Sequence, residues 1–177
     1  RMKWLVVLLL VIALLQEPLR RLIIRLFGSL FDKNRRTWLE STGVCNLIEP
    51  GERVLDFGAG IGSLSRMLRE KGCDVTSLDV SSACYMGKRS DVVVYDGKQI
   101  PFPDASFDVG IACTVLHHVP DADASIDELF RTCKRVIIVE DVPTGPGHAF
   151  VIHFLDSLCN LEIIGHPHSN KTDAEWR

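Results

Sequence analysis

The sequence predicts an α/β fold, a mainly parallel sheet wound on both faces by helices. From Asn34 onward, short apolar runs alternate with stretches of helical period. A glycine-rich turn, VLDFGAGIGSLS at residues 54–65, separates the first run from the first of those helices. A small or acidic residue then follows every run.

Arg35 to Leu47 has helical composition and is closed by the turn formers Glu49-Pro50-Gly51. Arg53 to Phe57 is a buried strand, Gly62 to Glu70 a helix, and Lys71-Gly72 its stop. Val75 to Leu78, Val92 to Tyr95 and Phe107 to Thr114 supply the second, third and fourth strands. Ala122 to Cys133 is a helix, Arg135 to Glu140 the fifth strand, and Ala149 to Cys159 a last apolar helix. Such alternation implies parallel strands joined by crossovers, and ligands of such sheets lie beyond the carboxyl ends of the strands.

The region before Asn34 differs. Residues 4–15, WLVVLLLVIALL, carry no polar side chain but are shorter than the about 20 residues a crossing helix needs. After Pro18, apolar Leu19, Leu22, Ile23, Leu26, Phe27, Leu30 and Phe31 recur at spacings of three and four, with Arg20, Arg21 and Arg25 between them. This is the pattern of a basic amphipathic helix lying in a membrane interface; packing on the following domain is the competing reading. The sequence therefore divides into a membrane-associating segment, residues 1–33, and a domain spanning residues 34–177. Membrane lipid is an expected partner of residues 4–31. If the segment spans the membrane, the heavier cluster of Lys and Arg on its C-terminal side keeps the domain on the cytoplasmic face, the expected location.

At 177 residues and a formal net charge of −3, the chain is long enough for one core and gives no general attraction for nucleic acid, so none is expected as a partner. Its cysteines, Cys45, Cys73, Cys84, Cys113, Cys133 and Cys159, form no C-x-x-C pair. Buried reduced thiols are expected, with no metal. His148 and His153 are five apart and do not share a helix face; with His166 and His168 they are assigned to loops or an acceptor pocket.

Two ligand classes suit a glycine-rich turn followed by an acid after the second strand. Nicotinamide dinucleotide enzymes use G-x-G-x-x-G, but here Ser63 stands where the third glycine belongs, and Gly58, Gly60 and Gly62 alternate behind Asp56. Asp56-Phe57-Gly58-Ala59-Gly60-Ile61-Gly62 resembles the first motif of class I S-adenosylmethionine-dependent methyltransferases. The stretches IPFPDASFD at 100–108 and VLHHVPD at 115–121 are similar to the small-molecule and lipid branch of that family, which includes quinone-ring methyltransferases. The match runs from about Arg53 to Asp141.

The resemblance implies a Rossmann-like sheet of strand order 3-2-1-4-5, S-adenosylmethionine as cofactor, and methyl transfer to a small or lipophilic acceptor. The implied cofactor-binding residues are Asp56, Gly58, Ala59, Gly60, Gly62, Asp79, Val80, Asp96, Gly97, Cys113 and Thr114. Among these, Asp79 takes the ribose hydroxyls, Asp96 lies by the adenine amine, and Asp56 orders the first turn near the ammonium. His117 and His118, after the fourth strand, are the candidates for proton transfer, and Glu140 and Asp141 for acceptor binding. The family also implies two further strands beside the fifth. Leu161 to Ile164 offers at most one, so the sheet is expected to be truncated or covered at that edge. That leaves a cofactor-binding but inactive scaffold as the alternative function.

Overall fold

The computed structural model describes residues 2–82, 85, 86, 88, 91–145 and 147, and only the backbone of residues 2–17 and 20. The elements are α1 (Met2–Thr42), β1 (Arg53–Phe57), α2 (Ser63–Glu70), β2 (Asp74–Asp79), β3 (Val92–Val94), β4 (Val109–Cys113), α3 (Ala122–Thr132) and β5 (Val136–Val139), with 3-10 turns at Val44–Leu47 and Leu116–His118. The strands form one sheet of order β3-β2-β1-β4-β5, and every pairing is parallel, as the alternation and the resemblance led one to expect. Successive residues of β1 and β4 alternate between two cores. Val54, Val109, Ile111 and Cys113 pack with Leu39, Leu64 and Leu68; Leu55, Phe57 and Ala112 pack with Leu78, Leu116 and Leu129. The expected last helix, the segment Leu161–Ile164 and His148, His153, His166 and His168 lie outside the described residues.

Two boundaries differ from the sequence reading. A separate helix was expected over Arg35 to Leu47, yet α1 runs unbroken from Met2 through Pro18 and Arg35 to Thr42. One proline removes a single backbone hydrogen bond, and the Leu, Ile and Arg around it favour helix on either side. The stop comes at Gly43, in the left-handed region at φ 68°. The fourth strand starts at Val109, because Phe107 makes only an isolated bridge to Cys133.

α1 presents two faces. Gly28 and Leu39 are buried and Asp32, Arg35 and Arg36 half-buried, at the spacing that points one stripe at the domain. Leu19, Leu22, Leu26, Phe27 and Leu30 are at least 50% exposed on another. Asp32 accepts hydrogen bonds from Ser63 Oγ and Arg66 Nη2, each at 2.6 Å, and Arg36 pairs with Glu70 at 2.7 Å, which ties α1 to α2. Among the described residues no helix is long and apolar enough to cross a membrane.

Candidate functional site

Parallel pairing brings the carboxyl ends of all five strands to one rim. Phe57 is in register with Leu78 and Ala112, Asp79 with Val94, and Cys113 with Val139. The residues that follow those positions, Gly58–Gly62, Asp79–Ser81, Tyr95–Gly97, Thr114–His118 and Glu140–Asp141, therefore share that edge.

The first turn is held from several sides. Gly58 N–H and Ala59 N–H both donate to the Leu78 carbonyl, at 2.8 and 3.0 Å. Asp79 Oδ2 accepts from Gly60 N–H at 2.8 Å and its Oδ1 from Ser81 N–H at 3.1 Å. One carboxylate thus pins the glycine loop to the loop after β2. Gly58, Gly60 and Gly62 all have positive φ, but they lack side chains for different reasons. A Cβ at Gly58 would lie 2.1 Å from a methyl of Val115, and one at Gly62 would lie 2.3 Å from the Tyr85 ring. At Gly60 the nearest atom is a backbone oxygen at 3.9 Å. The resemblance assigned all three to the cofactor; two of them leave room for the protein's own side chains, and of the three only Gly60 faces open space.

Asp56 points into the interior. It is 2% exposed and accepts from Ser65 Oγ, which contacts Ser77 Oγ at 2.6 Å; Arg69 then reaches Ser77 at 2.9 Å and the Tyr85 hydroxyl at 2.7 Å. Burial pushes the Asp56 carboxyl up to about 6, more than the Ser65 bond lowers it. This carboxyl acts on the first turn from beneath, through the seam between β1, β2 and α2.

On the other side of Asp79, Val80 is 59% exposed and lies against Gly97, where a Cβ would sit 3.4 Å from Val80 Cγ1. Asp96 is exposed and its Oδ1 accepts from Lys98 and Gln99 N–H; those bonds hold its carboxyl below the usual range. Asp96 also lines a shallow depression of about 500 Å³ together with Val94, Tyr95, Gln99, Ile100 and Phe102. The glycine loop does not line it.

Cys113 is 6% exposed, and burial pushes its thiol up to about 12, so its side chain is an inert core group. Thr114 takes φ 52°, a left-handed conformation unusual for a β-branched residue and costing on the order of 1–3 kcal/mol. Its N–H donates to the Val139 carbonyl at 2.7 Å, and its hydroxyl receives Arg35 Nη2 at 2.7 Å. The next turn hangs on Glu140, whose Oε1 accepts from Val115 and Leu116 N–H at 2.8 and 2.7 Å and whose Oε2 meets His117 Nδ1 at 2.6 Å. The side chains of His117 and Glu140 are 2% and 3% exposed. The structure therefore gives Glu140 the task of shaping this turn, where an acceptor-binding role was expected, and seals His117 beneath it. His118 remains half-buried, its ring 4.1 Å from that of His117. Asp141 is exposed at the same edge.

Sequence reasoning missed Arg35, Tyr85, Val115 and the Asp32–Ser63 contact. These pairings span 23 to 79 residues, and no local pattern announces them. Asp108, within a quoted motif, lies at the opposite rim, paired with Arg53 and Lys134. Those bonds hold its carboxyl well below the usual range.

Comparison with known proteins agrees with this geometry. A methyltransferase domain family matches residues 55–137. Over 133 residues, or 70% of this chain and 54% of the relative, the sequence is 36% identical to the demethylmenaquinone methyltransferase of Beutenbergia cavernae. It is also 36% identical over 103 residues to the malonyl-acyl-carrier-protein O-methyltransferase of Serratia marcescens, covering 54% of this chain and 40% of that one. The chain spans about half the length of these curated relatives. Among solved structures, magnesium protoporphyrin IX methyltransferase from Synechocystis, with bound S-adenosylhomocysteine, shares the fold at a TM-score of 0.54 and 24% identity, covering 87% of this chain and 71% of that one. The sheet order, the glycine turn pinned by Asp79 and the matched residues 55–137 together mark the chain as a member of the class I S-adenosylmethionine-dependent methyltransferases.

Proposed function

We propose that this chain binds S-adenosylmethionine at the carboxyl rim of its sheet and methylates a small lipophilic acceptor, working on the cytoplasmic face of a membrane. The observation that carries the reading is the pairing of Asp79 with Gly60: a carboxylate fixed beside the one loop glycine whose Cβ direction is open. When bound, S-adenosylmethionine supplies a methyl group already activated on a sulfonium sulfur. The chain's own task is then to hold that group and an acceptor in near-attack geometry and to keep water away.

Each residue's part follows from its position. Asp79 accepts from the ribose hydroxyls while keeping the loop bonds it already makes, since a carboxylate has about four acceptor sites. The Val80–Gly97 ledge offers an apolar face for the adenine, with Asp96 at its end to accept from the amine. The glycine loop and the backbone at Cys113 and Thr114 border the methionine part. Where the acceptor must lose a proton, His118 is the candidate of the pair, because His117 is sealed against Glu140. The relatives named for menaquinone chemistry support a lipophilic acceptor. The exposed apolar stripe of α1 supports work at a lipid surface.

Calorimetry with S-adenosylhomocysteine tests the reading. The wild-type chain binds it, and Asp79→Ala weakens binding by about 30-fold or more, the worth of charge-assisted hydrogen bonds to two hydroxyls. Equal affinity in the two proteins refutes the role given to Asp79.

A further inference from the structure

Arg35 reaches from α1 to the end of β4. It projects from α1, 78 residues before Cys113, and places Nη2 3.1 Å from the Cys113 carbonyl, 2.7 Å from Thr114 Oγ1 and 3.6 Å from Cys113 Sγ. Its Cζ lies 4.4 Å from the Trp38 ring centroid, so the guanidinium is stacked as well as anchored. All these partners are neutral. Arg36, Arg53, Arg66, Arg131 and Arg135 each pair with a carboxylate, whereas Arg69, like Arg35, bonds only neutral partners, and those lie in the interior seam away from the rim.

Three features follow. Only Nη2 is engaged among the described residues, so the Nε and Nη1 donors of the fork remain for another acceptor. The charge is half-buried beside an apolar core with no carboxylate bonded to it among the described residues, Asp56 acting on it only through its field. The anchoring residues are the last of β4 and the one after it, at the ligand-bearing rim and next to Val115, which packs against Gly58 of the glycine loop. A rigid, stacked guanidinium with donors to spare at such a place is a preorganised seat for a carboxylate.

Resting on the reading above, we infer that Arg35 is the counter-charge for the carboxylate of the methionine part of the cofactor, so that the N-terminal helix is itself a wall of the cofactor site. The strained φ of Thr114 fits this role, since it turns the Thr114 hydroxyl to the guanidinium. The loop after β2 closes the same wall. Met86 N–H donates to the Ile61 carbonyl at 3.1 Å, and Met86 packs against buried Gly28 of α1.

The test compares two ligands by calorimetry. S-adenosylhomocysteine carries the amino-acid carboxylate; methylthioadenosine has the same nucleoside and thioether but no amino acid. Arg35→Gln is expected to lose about 30-fold in affinity for the first and to hold the second within about twofold, and Arg35→Lys to lie between. The methylthioadenosine arm also reports that the variant is folded. Equal losses for both ligands, or no loss for either, overturn the assignment. If the wild-type chain binds neither ligand, the methyltransferase reading itself fails, which is a separate result from an Arg35 variant behaving like wild type.

Discussion

Gly58 and Gly60 are two residues apart, share a left-handed backbone and carry different constraints. An alanine at Gly58 would meet Val115 at 2.1 Å in addition to the unfavourable φ of 72°. Overpacking costs about 1–3 kcal/mol and the left-handed conformation roughly 1–2 more, so Gly58→Ala should lose about 3 kcal/mol or more in urea denaturation. Adding Val115→Ala should recover the steric part. Gly60→Ala has open space before it and should lose only about 1 kcal/mol, yet weaken S-adenosylhomocysteine binding, because the methyl occupies the space left for a ligand. Similar stability losses in the two variants would show that Val115 yields and that the distinction is false. Much of this site was legible in the residues themselves: an alternating glycine turn behind an acid, and further acids after the second and third strands. What escaped was the reason for each glycine. Val115 and Tyr85 meet them only in the folded chain, and hydrophobic residues of that kind carry no mark of their neighbours in the sequence.

At the scale of elements, α2 and its strands enclose a polar seam where a hydrophobic one would ordinarily form. Asp56 on β1, Ser77 on β2, and Ser65 and Arg69 on α2 make one hydrogen-bonded chain ending at Tyr85. Its pH response has a definite sign. Burial raises the Asp56 carboxyl to about 6, above the roughly 3.9 of an unfolded chain. Between those values the folded protein binds the extra proton, so stability falls as pH rises from about 4 to about 6 and is level above. The size is on the order of 2–3 kcal/mol. Denaturation curves of wild type and Asp56→Asn should therefore diverge across that window, the wild type losing ground as pH increases. Parallel curves would place the Asp56 titration elsewhere. The elements around this seam were legible because strands and helices differ in hydrophobic period, and β1, β2 and α2 each fall within two residues of their expected bounds. α1 was divided at residues 33 and 34 because the amphipathic pattern after Pro18 and the helix from Arg35 read as separate segments, whereas contacts of Asp32, Arg35 and Arg36 with the domain favour one unbroken rod.

For the whole molecule, the distribution of charge and apolar surface joins the parts. The first 36 residues hold eight Lys or Arg against two acids, while the rest of the chain is net acidic. Leu19, Leu22, Leu26, Phe27 and Leu30 form an exposed stripe on the helix whose other side carries Gly28, Asp32 and Arg35 to the cofactor rim. Removing five half-exposed apolar side chains from water is worth roughly 1 kcal/mol each, and each basic residue near an anionic surface adds about 1 kcal/mol. On the proposed reading the sum would suit reversible attachment to a lipid surface. The full chain should therefore sediment with vesicles containing phosphatidylserine and less with purely neutral phosphatidylcholine vesicles, the difference shrinking in high salt as the charges are screened. Leu22→Ser with Leu26→Ser should reduce binding to both vesicle types by about tenfold or more, while leaving S-adenosylhomocysteine affinity unchanged, because neither side chain faces the domain. A wild-type chain that stays in the supernatant with both vesicle types would remove the membrane from the account of this protein. The cofactor site would then need another reason for a long amphipathic helix as its wall.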